Sequence, residues 1–156
     1  FMKLKILWPG KTRNREIRSL QEYYLRKINQ LAPCELIQTK EAKGIPEKFA
    51  NRIKEIEASG LEKNFKDDYI ICLFDEGKEM SSIDFARFLE KIASNSSRAM
   101  TFVVGGFLGL EERILKRADF ILSLSRMTFS HELSRIMILE QIYRSLATMK
   151  RRQYVK

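Results

Sequence analysis

Apolar residues along the chain gather into five short clusters separated by longer stretches with helical spacing. Runs at 4–8, 35–39, 69–74, 101–104 and 120–124 have the length and the β-branched, leucine and aromatic content of strands. Between them, 14–31, 46–59, 81–93 and 111–117 repeat apolar positions every three or four residues, and 130–149 does so at the end. Strands alternating with helices predict an α/β fold, with a mostly parallel sheet flanked by helices on both faces. Two helix starts carry side-chain oxygens able to cap free N–H groups: Ser81 or Ser82 before IDFARFLEKI, and Ser130 before HELSRIMILEQIYRSL. No repeat, low-complexity tract or Pro/Gly/Ser linker divides the chain, so 2–156 reads as a single domain. Phe1 precedes Met2, which is the expected natural start, and Phe1 is left out of the functional reading.

Composition narrows the classes. The 156 residues, 44% of them hydrophobic, suffice for one core. Without any apolar run of membrane-spanning length, and with KLKILWPGK too short for a signal peptide, a soluble cytoplasmic protein with no membrane association is expected. Cys34 and Cys72 each sit inside an apolar run, where a free cysteine behaves as a small buried hydrophobe. With His131 the single histidine, a Cys/His zinc site is excluded by count and no metal is expected. The charge is more informative. Lys and Arg number 29 against 20 acids, a formal net charge of +9, which favours a polyanionic partner. Eight cations against Glu16 and Glu22 occupy 2–27, and five with no acid occupy 144–156. The two ends are therefore expected to share one RNA-facing surface, with Lys11, Arg13, Arg144, Lys150, Arg151 and Arg152 as phosphate contacts.

Three segments can carry chemistry. TFVVGGFLGL at 101–110 drives a strand straight into Gly105, Gly106 and Gly109, a turn that lets backbone approach a ligand at the carboxyl end of the sheet. It is not GxGxxG, and neither Gly10-Lys11 nor Gly77-Lys78 completes a phosphate-binding P-loop. SLSRMTFS at 123–130 offers hydroxyls, amides and an apolar Met/Phe pair suited to a flat heterocycle, and DEGKEMSS at 75–82 is expected to be a loop with the same relation to its strand. All three would converge on one crevice. His131 opens the last helix, and Arg135 lies one turn further on the same face, where an anion or RNA phosphate contact is expected.

FDEGKEMSS, TFVVGGFLGL and LKRADFILSLSRMTFSHELSRIMILEQIYR, in that order, resemble the RlmH family of SPOUT methyltransferases. The opening KLKILWPGK and the EYYLRKI helix support the likeness, and 41–66 is its least characteristic stretch. The resemblance implies an α/β knot with a C-terminal trefoil, which periodicity alone does not show. It implies S-adenosyl-L-methionine as cofactor, and N3 of a pseudouridine in 23S ribosomal RNA of the large subunit or assembled ribosome as target. By position, the cofactor would meet Leu73, Phe74, Gly105, Gly106, Leu124, Ser125, Arg126, Met127, Thr128 and Phe129. It also implies an antiparallel homodimer in which each site is completed by the other subunit. His131 is left between a capping or supporting role and direct catalysis.

The tail departs from the family pattern of Tyr-His and a basic residue: Tyr154 and Lys156 match, but Val155 stands where the histidine beside the target base is expected. Three readings follow. The first is an active pseudouridine-N3 methyltransferase in which Tyr154 contacts the base and Lys156 a phosphate. The others are an RNA- or ribosome-binding homologue with impaired catalysis and a SPOUT enzyme with another RNA target.

Overall fold

The computed structural model describes residues 2–155, with side chains through 152. Its strands are β1 (Leu4–Pro9), β2 (Cys34–Thr39), β3 (Tyr69–Glu79), β4 (Met100–Val103) and β5 (Phe120–Ser123). Its helices are α1 (Arg15–Asn29), α2 (Ala50–Glu62), α3 (Ser82–Asn95), α4 (Glu112–Arg117) and α5 (His131–Val155). The helix expected over 46–59 instead begins as a short 3-10 turn, Glu47–Phe49, because Pro46 stays extended at ψ 144° before it. The sheet order is β2-β1-β4-β3-β5, and every named pairing is parallel.

Alternation along the strands builds two cores, as the pleat requires. Leu4, Ile6, Trp8, Ile71, Met100, Phe102 and Leu122 pack with side chains of α1, α3 and α5 on one face. Leu7, Ile70, Cys72 and Val103 meet Ala58, Leu61 and Phe65 of the α2 region and Ile114 of α4 on the other. Lys5 also points to this second face, where its Nζ donates to the Asn64 carbonyl at 2.7 Å and pairs with Asp68. Thr101 Oγ1 donates to the same Asp68 carboxylate at 2.8 Å, so the buried charge is paired and hydrogen-bonded. Burial raises both cysteine thiols to about 12, which keeps them protonated and inert. Asn14, Ser81 and Ser130 cap α1, α3 and α5 by accepting from Ile17 N, Asp84 N and Leu133 N.

The expected loop at 75–82 is corrected. β3 continues to Glu79, and both Leu73 and Lys78 take Leu122 as partner, so the residues between them bulge out of the ladder. Gly77 makes this possible, since a Cβ there would stand 2.7 Å from the Ile121 carbonyl oxygen. Asp-Glu-Gly-Lys-Glu has no apolar alternation because the continuation pairs through backbone with little side-chain burial. The bulge sets Phe74 and Asp75 at the sheet rim. From edge strand β5, α5 returns across the sheet to pack on α3 and α1, with Ser82 Oγ 2.7 Å from Gln141 and the Tyr24 and Tyr143 rings 6.3 Å apart. That course accords with the threaded C-terminal segment of an α/β knot. Among the described residues no helix is long and apolar enough to cross a membrane.

Gly77→Ala is expected to lower the unfolding free energy by about 1–3 kcal/mol through overpacking against β5. Urea denaturation measures it; an unchanged midpoint would mean that the bulge yields freely.

Candidate functional site

Because β4, β3 and β5 are neighbours and parallel, the loops leaving them stand side by side at the carboxyl rim. They enclose a crevice of about 580 Å³. Its floor is the turn after β4, where Gly109 N donates to Gly106 O at 3.0 Å and Gly109 adopts φ +83°. A Cβ on Gly105 would lie 2.8 Å from the Gly109 carbonyl carbon, so a bare backbone forms the wall there. The β3 and β5 loops are tied together: Ser123 Oγ lies 3.0 Å from both Asp75 O and Ser125 O, and Thr128 Oγ1 contacts the Asp75 carboxylate at 3.4 Å.

Nine of the ten residues carried over for the cofactor line this crevice: Leu73, Phe74, Gly105, Gly106, Leu124, Ser125, Met127, Thr128 and Phe129. Arg126 does not line it; its exposed side chain reaches 3.7 Å from Glu79 instead. Lys54 of α2 and Ser134 of α5 also line it, and sequence reasoning missed both. Among the described residues no group of three or more His, Cys, Asp or Glu is placed to hold a metal.

His131 stands at the junction of this crevice and a second cavity of about 320 Å³, to which Lys11, Arg13, Glu41, Glu57, Gly106, Phe107 and Leu108 contribute. Ser130 already caps α5, which leaves the imidazole free of that task. Its ring meets the exposed Phe107 ring edge-on at 6.4 Å. Partial burial, then the nearby Arg135 cation, push His131 below its ordinary value of about 6.5, so it is neutral at physiological pH.

Arg135 changes its reading. Instead of reaching a phosphate on the surface it is 1% exposed, with Nη2 donating to Pro9 O at 2.8 Å and Nη1 to Thr12 Oγ1 at 2.9 Å. Its guanidinium lies 4.7 Å from the centre of the Trp8 ring, a buried cation–π contact. Burial lowers it to about 10, still cationic. It thus pins the end of β1 to the first turns of α5.

The two basic ends meet only in part: Lys27 stands over the Tyr143 ring at 5.6 Å where α1 packs on α5, but the expected phosphate contacts are not gathered on one patch. Lys11 and Arg13 lie at the rim of the second cavity, whereas Lys150 borders a groove with Met2 and Pro33, Arg151 is exposed, and Arg152 pairs with Glu90 at 3.2 Å. Arg144 is exposed and engaged by Glu140 one turn earlier at 2.7 Å. α5 starts at the crevice and runs 25 residues, about 36 Å at 1.5 Å per residue. The side chains of Tyr154 and Val155, and all of Lys156, lie outside the described residues. Glu57 was also missed. Its signal lay in the sequence, as a carboxylate at helical spacing between Ile53 and Leu61 on the inward stripe of α2.

The profile described as predicted SPOUT methyltransferase matches residues 2–154, which sets the class as that of the SPOUT methyltransferases. A probable methylase family protein from Haemophilus influenzae shares the fold at TM-score 0.58 and 13% identity, over 96% of this chain and 69% of that one. Archaeoglobus fulgidus Nep1, solved with S-adenosylhomocysteine bound, shares it at TM-score 0.50 and 8% identity, over 94% and 100%. Within the class the chain is similar to ribosomal RNA large subunit methyltransferase H, with the Thermodesulfovibrio yellowstonii protein 37% identical over 97% of both chains. The chain belongs to this methyltransferase H family.

Arg135→Ala is expected to cost about 3 kcal/mol or more, since it strands two buried acceptors and empties the site above Trp8. Arg135→Lys should recover little of this, because an ammonium cannot reproduce the two-pronged guanidinium contact. Arg144→Ala, at an exposed pair, should leave stability nearly unchanged. Urea midpoints for the three variants decide, and equal losses would contradict the buried-anchor role.

Proposed function

We propose that this chain transfers a methyl group from S-adenosyl-L-methionine to N3 of a pseudouridine in large-subunit ribosomal RNA, acting as a homodimer. The observation that carries the reading is the crevice itself. Three tied loops present bare glycine backbone and apolar side chains, a surface suited to a flat adenine and a thioether chain, in a chain of the methyltransferase H family. When bound, the cofactor supplies the electrophilic methyl group. Gly105 and Gly106 admit it by offering no side chain, Leu73, Leu124 and Phe129 exclude water, and Ser125 and Thr128 supply polar contacts.

His131, neutral and at the junction of the two cavities, is suited to take the N3 proton, a role that positions it beside rather than within the helix cap. The tail enters from the other subunit. α5 carries Tyr154 and Val155 about 36 Å from their own crevice, so an antiparallel second copy is what brings a tail to it. Exposed Leu133 and Met137 on α5 and Leu20 and Tyr23 on the adjacent α1 supply apolar surface for that pairing. Val155, in place of the family's histidine, favours one second reading: a homologue that binds RNA and cofactor with weakened catalysis.

The decisive assay is transfer of labelled methyl to ribosomes lacking the modification, with Val155→His alongside. Label at the pseudouridine with the unaltered protein is expected; label with Val155→His alone would establish the weakened homologue, and none with either would overturn the proposed target. The acid limb of kcat/KM should fall below pH 6.5, since lowering of the His131 pKa keeps the imidazole neutral until the pH drops past its depressed value. His131→Asn should remove that limb and reduce the rate by about 10²-fold or more. An unchanged profile would remove His131 from proton transfer.

A further inference from the structure

The second cavity lies on the far side of the Gly106–Leu108 turn from the crevice and shares His131 with it. At its wall is Glu57, a carboxyl only 7% exposed. Oε2 has a single long contact, 3.5 Å, from Ala42 N, and Oε1 accepts no hydrogen bond from any described residue. A Cβ on Gly106 would stand 2.7 Å from that Oε1, so the absence of a side chain at Gly106 leaves the oxygen its room beside the turn. Glu57 lines the cavity, so an acceptor with no partner among the described residues faces the space a ligand would fill. Lys11 at the rim supplies a cation where a nucleotide's phosphate would lie, beside Arg13, which is paired with Glu41.

We propose that this cavity is the nucleobase pocket and that Glu57 is its specificity-determining residue, reading the N1–H and C2=O edge that pseudouridine exposes and uridine, joined to ribose through N1, does not. The inference rests on the proposed reaction and names the group that selects its substrate. Methylation at N3 requires that N3 face the cofactor side, which leaves the N1–H/C2=O edge to be held from the other side of the turn. A carboxyl group matches that edge: one oxygen accepts from N1–H, and the protonated oxygen donates to C2=O. Burial raises the Glu57 carboxyl above the ordinary carboxylate range and the neighbouring Glu41 pushes the same way, against the Ala42 N–H and the Arg135 cation. The contact to N1–H needs only an acceptor and holds in either protonation state, while the contact to C2=O adds to it when the carboxyl is protonated. A uridine in the same pose lacks the N1 proton and leaves Oε1 unpaired, and sites built to bond one substrate hydrogen reject analogues without it strongly.

The test compares Glu57→Gln, which keeps one acceptor and one donor, with Glu57→Leu, which keeps neither. On ribosomes carrying pseudouridine at the target, Glu57→Gln should stay within about threefold of the unaltered kcat/KM, and Glu57→Leu should fall about 100-fold or more, with its residual activity no longer distinguishing pseudouridine from uridine. Affinity for S-adenosyl-L-methionine, measured by calorimetry, should move less than threefold in both. Retained discrimination in Glu57→Leu, or loss of cofactor affinity in step with activity, would overturn the assignment in favour of a brace for the Gly106 turn. A measurement on the unaltered protein covers the case in which Glu57→Leu fails to fold or ribosomes accept no methyl. Pseudouridine 5′-monophosphate titrated into the labelled protein should shift the Ala42 and Gly106 amide resonances saturably, at an affinity at least tenfold better than that of uridine 5′-monophosphate. Equal responses, or none, reject the pocket even if the methyl-transfer reading stands; a selective response upholds it even if the ribosomal target is wrong.

Discussion

Parallel pairing is the constraint from which the site follows. An all-parallel sheet sends every strand toward the same rim, and the order β2-β1-β4-β3-β5 makes β4, β3 and β5 consecutive there. Three exits must then share a small space. Steric crowding of that kind is relieved by residues without side chains at the closest approaches, and Gly105 against Gly109, Gly106 against Glu57 and Gly77 against Ile121 are such points. The ties among Ser123, Asp75 and Thr128 hold the exits at fixed separation, so the shape of the crevice depends on backbone geometry more than on any one lining side chain.

Periodicity carried most of the architecture. The five strands and five helices follow from apolar alternation and capping residues, because burial on two sheet faces leaves a strong imprint on sequence. Where burial is weak the imprint fades. The continuation of β3 through Asp75–Glu79 is held by backbone pairing and by the permissiveness of Gly77, neither of which requires apolar side chains. Arg135 was read as a surface contact, and Glu57 was missed, for the opposite reason. Each is a charged residue turned inward, and a sequence does not reveal which carbonyls, such as Pro9 O, stand ready to receive a buried cation. That three strand-end loops converge on one crevice was legible from the α/β pattern, but which cofactor it holds came only through likeness to a family, since no local spacing brings 73–75, 104–110 and 124–130 together.

The charge of the chain also needs its geometry. Much of the cationic surplus is locally engaged: Arg113 holds Glu55 and Glu62 across α2 and α4, Arg98 closes on Asp119 and the 67–68 carbonyls, and Arg144 and Arg152 have carboxylate partners. Such exposed pairs contribute little to stability but leave net charge unaltered, so the long-range field persists while the number of side chains free to grip individual phosphates is smaller than composition suggests. Arg13, at the rim of the second cavity, is likewise held by Glu41.

The length of α5 has a geometric corollary for any lineage of this chain. A continuous helix couples translation to rotation, so adding or removing one residue between His131 and the tail advances the tail by about 1.5 Å and turns it by about 100°. The identity of a helical residue can change without altering the rotation of the helix that follows it. The count of residues cannot: a single insertion would swing the residues beyond it to another side of the helix, and changes of about seven residues, close to two full turns, would restore their heading.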